Sequence, residues 1–381
     1  MVRVALLFGG RSGEHEVSVM SARSISAALT DNGFDVLAVG ITKEGRWVFI
    51  DKPELIFEKA YTEVTADLGP SCYVLPDPSR PGLWIDGRLQ EDGFCRDSPL
   101  PFQSAGADRD MDVDVVFPVL HGSFGEDGTI QGLLDLSGLP YVGSGTLASS
   151  VCMDKDSAKM VMSYHGIPFV PYVKVQRWLW KNKRDEVLQE LLADLTYPVF
   201  VKPSGSGSSL GVSKVKDADG LSEALDYAFL FDVKALIEPA QEGCLEIECA
   251  VLGNEDPRAS VPGQIIPSRE FYDYEAKYID TSTRLVIPAP LDEGLTAQVQ
   301  EISIATFRAE GCSGLARVDV FVDTADGSIR VSEVNTMPGF TDVSMYPKLW
   351  EASGVTYSRL VEELVHLAVD RKTALERRFW V

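Results

Sequence analysis

Ala316-Arg317-Val318-Asp319-Val320-Phe321-Val322 and, downstream, Ser332-Glu333-Val334-Asn335-Thr336 read as two short buried strands that carry polar groups inward. Residues two apart in a strand share a face, so Arg317 lies on the same side as Asp319. Asp319, Glu333 and Asn335 offer only oxygen. Hard oxygen donors suit Mg²⁺ better than zinc or copper, and Mg²⁺ usually takes one or two carboxylates and completes its shell with substrate phosphates. The pair of strands therefore points to a nucleoside triphosphate. Arg317 is placed to stabilise anionic charge in a transition state.

Upstream, Lys202-Pro-Ser-Gly-Ser-Gly-Ser-Ser-Leu-Gly211 joins two predicted strands, 198–202 and 211–215. It is no P-loop, because no Gly-Lys-Ser/Thr follows and no helix opens after it. A small-residue loop between hairpin strands can instead fold over phosphates and offer backbone N–H groups, with Lys202 at its base. Lys155, at the start of a predicted helix over 154–165, is a weaker signal, since a cation there is slightly unfavourable.

The chain opens with a βαβ pattern. An apolar run over 2–8 ends in Gly9-Gly10, a helix is predicted over 18–29, and a strand follows over 34–40. This is the start of a doubly wound parallel sheet, in which ligands bind at the carboxyl ends of the strands. Gly9 to Glu16 lies at such an end but lacks the G-x-G-x-x-G spacing. Its acids oppose a pyrophosphate and suit an ammonium group. His121-Gly-Ser-Phe-Gly-Glu-Asp-Gly128 follows another buried strand, 113–119. The expected class is α/β, becoming α+β in the nucleotide-binding part.

Residues 43 to about 110 read as an irregular, acidic arm with short strands. Further strands are expected over 233–238 and, half-buried by its alternation, over 246–252. Helices are expected over 218–228, 295–311 and 357–375. Residues 268–283, polar and tyrosine-bearing, read as a long functional loop.

At 381 residues, two or three domains are expected. A net charge of −22 disfavours nucleic acid and anionic membranes as partners. Six scattered cysteines without a C-x-x-C pair read as buried thiols in a reducing cytoplasm, and four dispersed histidines argue against zinc. No signal peptide or long apolar span is evident, so a cytoplasmic location is expected.

Seven segments taken together resemble the D-alanine–D-alanine ligases of the ATP-grasp superfamily. They are GGRSGEHEVS (9–18), HGSFGEDGTIQGLLDLSGLPYVGSG (121–145), MDK (153–155), KPSGSGSSLGVSKV (202–215), FYDYEAKY (271–278), ARVDVFV (316–322) and EVNTMPGFTDVSMYP (333–347). The resemblance runs in order from Val4 to about Leu364. It implies an ATP-grasp fold preceded by a doubly wound N-terminal domain. The implied division is a substrate domain over 1–143, a central subdomain over 144–242 and a C-terminal subdomain over 243–381. It also implies ATP, two Mg²⁺ (Mn²⁺ being an alternative), a homodimer, and the joining of two D-alanines through an acyl phosphate for peptidoglycan.

By the same resemblance, Glu14 would bind the first D-alanine's ammonium, Val17 would line its methyl pocket, and His121 would lie near the reacting groups. Lys155 and Lys202 would hold ATP phosphates under the loop that carries Ser209. Glu238 and Ala240 would form the adenine hinge, and Glu246 would take the ribose. Ser208 and Tyr278 would join Glu14 in a positioning network. Lys277 and Ser344, beside Met345, would hold the second substrate's carboxylate. Arg317 and the Gly339 N–H would form an oxyanion hole, with Asp319, Glu333 and Asn335 on the metals. The hinge here reads Glu238-Pro-Ala-Gln-Glu-Gly-Cys-Leu-Glu246, without the Gly-Arg-Glu of many members, and Met345 stands where leucine is frequent.

Three rival readings stand beside this one. A D-lactate- or D-serine-using relative is the nearest, and Tyr278 argues against D-lactate. A silent ATP-binding module would show a broken metal or oxyanion set. An NAD-linked dehydrogenase lacks its glycine spacing.

Overall fold

The computed structural model describes residues 1–57, 63–86, 109–266, 284–341 and 343–379. The chain divides into two compact units. One is Met1–Thr146 with Ser313–Leu315 and Met337–Val381; the other is Leu147–Cys312 with Ala316–Thr336.

The first unit is built on β1 (Arg3–Gly9), whose residues Val4 to Phe8 are all fully buried. A strand buried on both faces needs parallel neighbours and a continuous apolar run, and β1 has both. It pairs in parallel with β2 (Asp35–Ile41) and with strand Val115–Val119. An antiparallel edge strand, β3 (Trp47–Ile50), completes the order β3, β2, β1, Val115–Val119. The start of the expected arm thus belongs to the main sheet. Strands Cys72–Val74, Leu83–Ile85 and Arg109–Met111 form a separate antiparallel sheet.

Helix α1 runs from His15 to Asp31, three residues earlier than the apolar pattern predicts. The reason is that its first turns bury polar groups that find partners. Ser18 accepts from Gly9 N–H at 2.8 Å and donates to the Val119 carbonyl. Gly9 is required where it stands: its φ is +89°, and a Cβ would lie 2.4 Å from the Ile41 carbonyl oxygen. The C-terminal helix Tyr357–Phe379 buries Leu360, Val361, Leu364 and Val365, the i, i+1, i+4, i+5 stripe of an amphipathic helix. It is tied to the end of α1 by Asn32 and Ser358.

The second unit holds two sheets. The smaller has the order Ser213–Val215, Val199–Pro203, Lys234–Pro239, Val173–Gln176, all antiparallel. The first two of these are the expected hairpin. Helix Leu221–Ala228 covers it with Leu221, Leu225 and Ala228, and residues 218–220 form a 3₁₀ turn rather than helix. The larger sheet runs Arg284–Val286, Gly263–Ile266, Leu245–Gly253, Gly314–Val322, Ile329–Asn335, with Arg258–Ala259 paired on Leu245–Gly253. Helix Glu293–Ala309 buries Val299 and Phe307 in that unit's core. Strand Leu245–Gly253 is fully buried from Ile247 onward, so its alternation does not mark a half-exposed strand. Its polar face looks into a cavity. Among the described residues no helix is long and apolar enough to cross a membrane.

Candidate active site

A cavity of about 310 Å³ lies within the second unit, lined by residues of both its sheets. Lys155, Lys202, Ser208, Ser209, Glu238, Ala240, Glu246, Asp319 and Glu333 all line it. Sequence spacing thus brought together residues up to 178 positions apart, as the span from 155 to 333 shows.

The two strands of the opening motif pair antiparallel. Asp319 stands opposite Glu333, and Arg317 opposite Asn335, with a bulge just after Asp319. Bulges re-aim side chains, and this one falls at the acidic pair. Arg317 donates from Nε and Nη2 to both Asp319 oxygens at 2.7 Å, and Nε lies 3.0 Å from Glu248. Burial works against the charged guanidinium, but the two carboxylates overcome it and hold Arg317 protonated. Among the described residues no three His, Cys, Asp or Glu side chains converge as a ready-made metal cage. Asp319 and Glu333, paired across strands and lining the cavity, with Asn335 two residues further along, instead match an ion that takes the rest of its shell from phosphate.

Lys155 bonds the Ser206 carbonyl at 2.8 Å and lies 3.2 Å from Glu333. Its place at a helix start is made tolerable by acids on either side. Asp154 caps the helix by accepting from Ser157 N–H, and Asp156 lies in the first turn. The same lysine ties the small-residue loop to the acidic pair. In that loop Ser208 and Ser209 have φ of +47° and +59°, a region L-residues seldom occupy. Strain of this kind collects at ligand-holding sites.

Glu238 is buried between two lysines, 2.6 Å from Lys202 and 3.0 Å from Lys159. Burial pushes Lys159 down to about 8, with Glu238 opposing the shift. Glu238 is therefore fixed by charge at the cavity wall, which Ala240 also lines. Glu246 lines the cavity from the adjacent strand.

The first unit carries a second constellation. Glu14 is 9% exposed and precedes α1, on which Val17 is fully buried. His15 Nδ1 bonds the Gly10 carbonyl at 2.8 Å and Nε2 accepts from Val64 N–H at 2.9 Å, which fixes the loop ahead of the helix. Gly122 leaves room for Glu14: a Cβ there would stand 2.8 Å from Glu14 Oε2. His121 is buried and bonded at both ring nitrogens, to the Met337 carbonyl and to Ser21. Burial pulls its pKa below the ordinary imidazole value, against the pull of the Glu14 carboxylate. Gly339 approaches Ser344 so closely that a Cβ would be 2.9 Å from its Oγ. Ser344 accepts from Thr341 N–H at 3.1 Å and precedes helix Met345–Ala352, where Met345 is buried. Lys277 and Tyr278 lie outside the described residues.

Sequence reasoning missed Glu248, Lys159, Glu126 and Ser21. Glu248 had a signal, since it shares a strand face with Glu246. Lys159 lies one turn after Lys155 and was as visible. Glu126 and Ser21 gave none, being ordinary polar residues until the fold supplies their partners.

Two sheets around a cavity that presents lysines at one side and a cross-strand acidic pair at another define an ATP-grasp enzyme. The chain belongs to the D-ala D-ala ligase family: the family's N-terminal model matches residues 3–144 and its C-terminal model residues 161–366. The D-alanine--D-alanine ligase of Natranaerobius thermophilus is 45% identical over 376 residues, covering 99% of this chain and 97% of its own. That of Acetivibrio thermocellus is 46% identical over 371 residues, covering 97% and 96%. Among solved structures, the Coxiella burnetii D-alanine-D-alanine ligase matches with a TM-score of 0.82 at 34% identity, over 99% of this chain and 97% of that one. VanG D-Ala:D-Ser ligase from Enterococcus faecalis matches with a TM-score of 0.81 at 34% identity, over 96% and 99%.

Proposed function

We propose that this protein joins two D-alanine molecules into D-alanyl-D-alanine, converting ATP to ADP and phosphate, as a cytoplasmic homodimer that supplies a peptidoglycan precursor. A carboxylate oxygen of the first D-alanine attacks the γ-phosphorus, and ADP leaves. The amine of the second attacks the acyl carbon of the resulting D-alanyl phosphate. The tetrahedral intermediate then breaks its bond to the phosphate oxygen, and the amine proton is lost.

The observation that carries this reading is Asp319 facing Glu333 across paired strands in a cavity that Lys155 and Lys202 also line. Lys155 and Lys202 hold the phosphates, the loop with Ser208 and Ser209 covers them, Glu238 and Ala240 meet the adenine, and Glu246 meets the ribose. Asp319, Glu333 and Asn335 would hold two Mg²⁺, or Mn²⁺ in their place, which when bound neutralise phosphate charge. Glu14 takes the first ammonium beside Val17 and His121, with Ser208 and Tyr278 completing the positioning network. Lys277 and Ser344, next to Met345, hold the second carboxylate. Arg317 and the Gly339 N–H stabilise the oxyanion, where a fixed donor is worth about 10²- to 10³-fold in rate.

The test is ADP release with D-alanine, L-alanine, D-serine or D-lactate, singly and as D-alanine mixtures, with products read by mass spectrometry. D-alanine alone gives ADP and the dipeptide. Mixed product formed in preference from D-serine, the second amino acid in the name of VanG D-Ala:D-Ser ligase, moves the protein to that branch. No ADP with any of them overturns the reading.

A further inference from the structure

The turn from Met337 to Phe340 carries Gly339, and its backbone donors can be assigned one by one. Met337 N–H goes to Glu126 Oε1 at 3.0 Å. Residue 338 is proline and has no N–H. Phe340 N–H goes to Ser21 Oγ at 3.2 Å. Gly339 N–H is the donor these contacts leave over for a ligand.

The direction of the remaining bonds follows from donor and acceptor chemistry. A carbonyl only accepts, so the 2.9 Å contact between the Met337 carbonyl and His121 Nδ1 places a proton on Nδ1. In the neutral ring Nε2 is then an acceptor, and Ser21 Oγ, 3.2 Å away, donates to it. The Ser21 oxygen keeps a lone pair for Phe340 N–H. The chain thus runs Phe340 N–H to Ser21, Ser21 O–H to His121, and His121 N–H to the Met337 carbonyl. It leaves the turn at one end and returns at the other. Ser21 and Phe340 are fully buried and His121 nearly so. A buried network with every member satisfied is rigid, and opening one bond leaves a desolvated group behind.

We propose that Ser21 is a positioning residue of the ligation: its hydroxyl locks His121 as the neutral Nδ1–H ring and so aims Gly339 N–H at the developing oxyanion. The inference rests on the ligase reading of the site. Ser21 acts through His121 and Phe340. An imidazolium would place a proton on Nε2, reverse the Ser21 hydroxyl, and leave that hydroxyl's proton without its acceptor. The Glu14 carboxylate bears on the ring. Glu14 favours the charged form, and Glu126 is committed to Gly122 N–H and Met337 N–H.

Long-range ¹⁵N–¹H spectra of the wild-type protein read the tautomer directly, with four histidines to assign and His121→Gln as the reference. A neutral Nδ1–H ring at 121 throughout the range of about pH 6 to 8 is expected, where an unperturbed histidine would titrate. An imidazolium or an Nε2–H ring there overturns the proposal, whether or not any Ser21 variant folds. In kinetics, Ser21→Ala lowers kcat for ADP release about 10- to 100-fold while KM for ATP stays within about twofold. Ser21→Cys, a weaker donor, falls between. A wild type inert toward D-alanine overturns the ligase reading itself. An active wild type with Ser21→Ala unchanged overturns this proposal alone.

Discussion

The cavity of the second unit and the Gly339 turn of the first hold their functional groups by opposite means. The cavity uses charge: Arg317 grips Asp319 and Glu248, Lys155 reaches Glu333, and Glu238 sits between Lys159 and Lys202. The turn uses neutral hydrogen bonds through Ser21 and His121 and the carboxylate of Glu126. The difference follows from the proposed chemistry. A polyanionic substrate needs cations kept protonated by counter-charges, which also let an acidic chain hold a local basic pocket. A developing oxyanion needs a fixed dipole, because a mobile charge would reorganise as the reaction proceeds.

Substitutions can break or sharpen this contrast. The largest effect is expected from Glu333→Gln, which removes a proposed metal oxygen and the partner of Lys155. ADP release should fall by about 10²- to 10³-fold, the range for losing one preorganised electrostatic contact. Circular dichroism should be unchanged; lost helix and strand signal would make the residue structural instead. Next comes Glu238→Gln, which leaves Lys159 buried beside Lys202 without its counter-charge. Breaking such a pair costs about 3–5 kcal/mol, read by denaturant unfolding. Unaltered stability would mean the charges are solvated and the contrast is overstated.

On the neutral side, Gly122→Ala puts a methyl against Glu14 at a φ of +72°. A strained backbone of this kind costs about 1–3 kcal/mol. The KM for D-alanine should rise while ATP affinity, measured by calorimetry, holds. Loss of ATP affinity instead would show that the two regions do not act separately.

The smallest effect is expected at Glu310, a buried carboxyl with neither oxygen hydrogen-bonded. Burial pushes it up to about 8, well above the ordinary carboxyl range. The folded state then binds a proton that the unfolded state releases, so the protein loses stability as pH rises through that window. Glu310→Gln should raise Tm at pH 8.5 and change it less at pH 5. Equal shifts at both would mean the carboxyl is already ionised in the fold.

Much of this was legible in the sequence because backbone periodicity and small-residue loops leave local traces. The apolar run from Val4 to Phe8, ended by Gly9-Gly10, fits a buried strand, and the small-residue loop from Lys202 to Gly211 lies between two strand-like runs. Asp319 and Glu333, the acids of the proposed metal set, stand out in the sequence because a carboxylate inside an apolar strand is costly and needs a purpose. Strand Val173–Gln176 was illegible, since as an edge strand it exposes three of its four residues. Strand 246–252 reads as half-buried from its alternation, which cannot tell a cavity wall from an outer face, so Glu248 carried no assignment although it lines the cavity with Glu246. Ser21 was silent because its partners, His121 and Phe340, are 100 and 319 positions away.

In the proposed reaction a D-alanine carboxylate oxygen passes to phosphorus before the peptide bond forms. D-alanine labelled with ¹⁸O in its carboxyl group, incubated with ATP and Mg²⁺, tests it directly. One labelled oxygen is expected in the released phosphate for each dipeptide made. Dipeptide formed with unlabelled phosphate would contradict it.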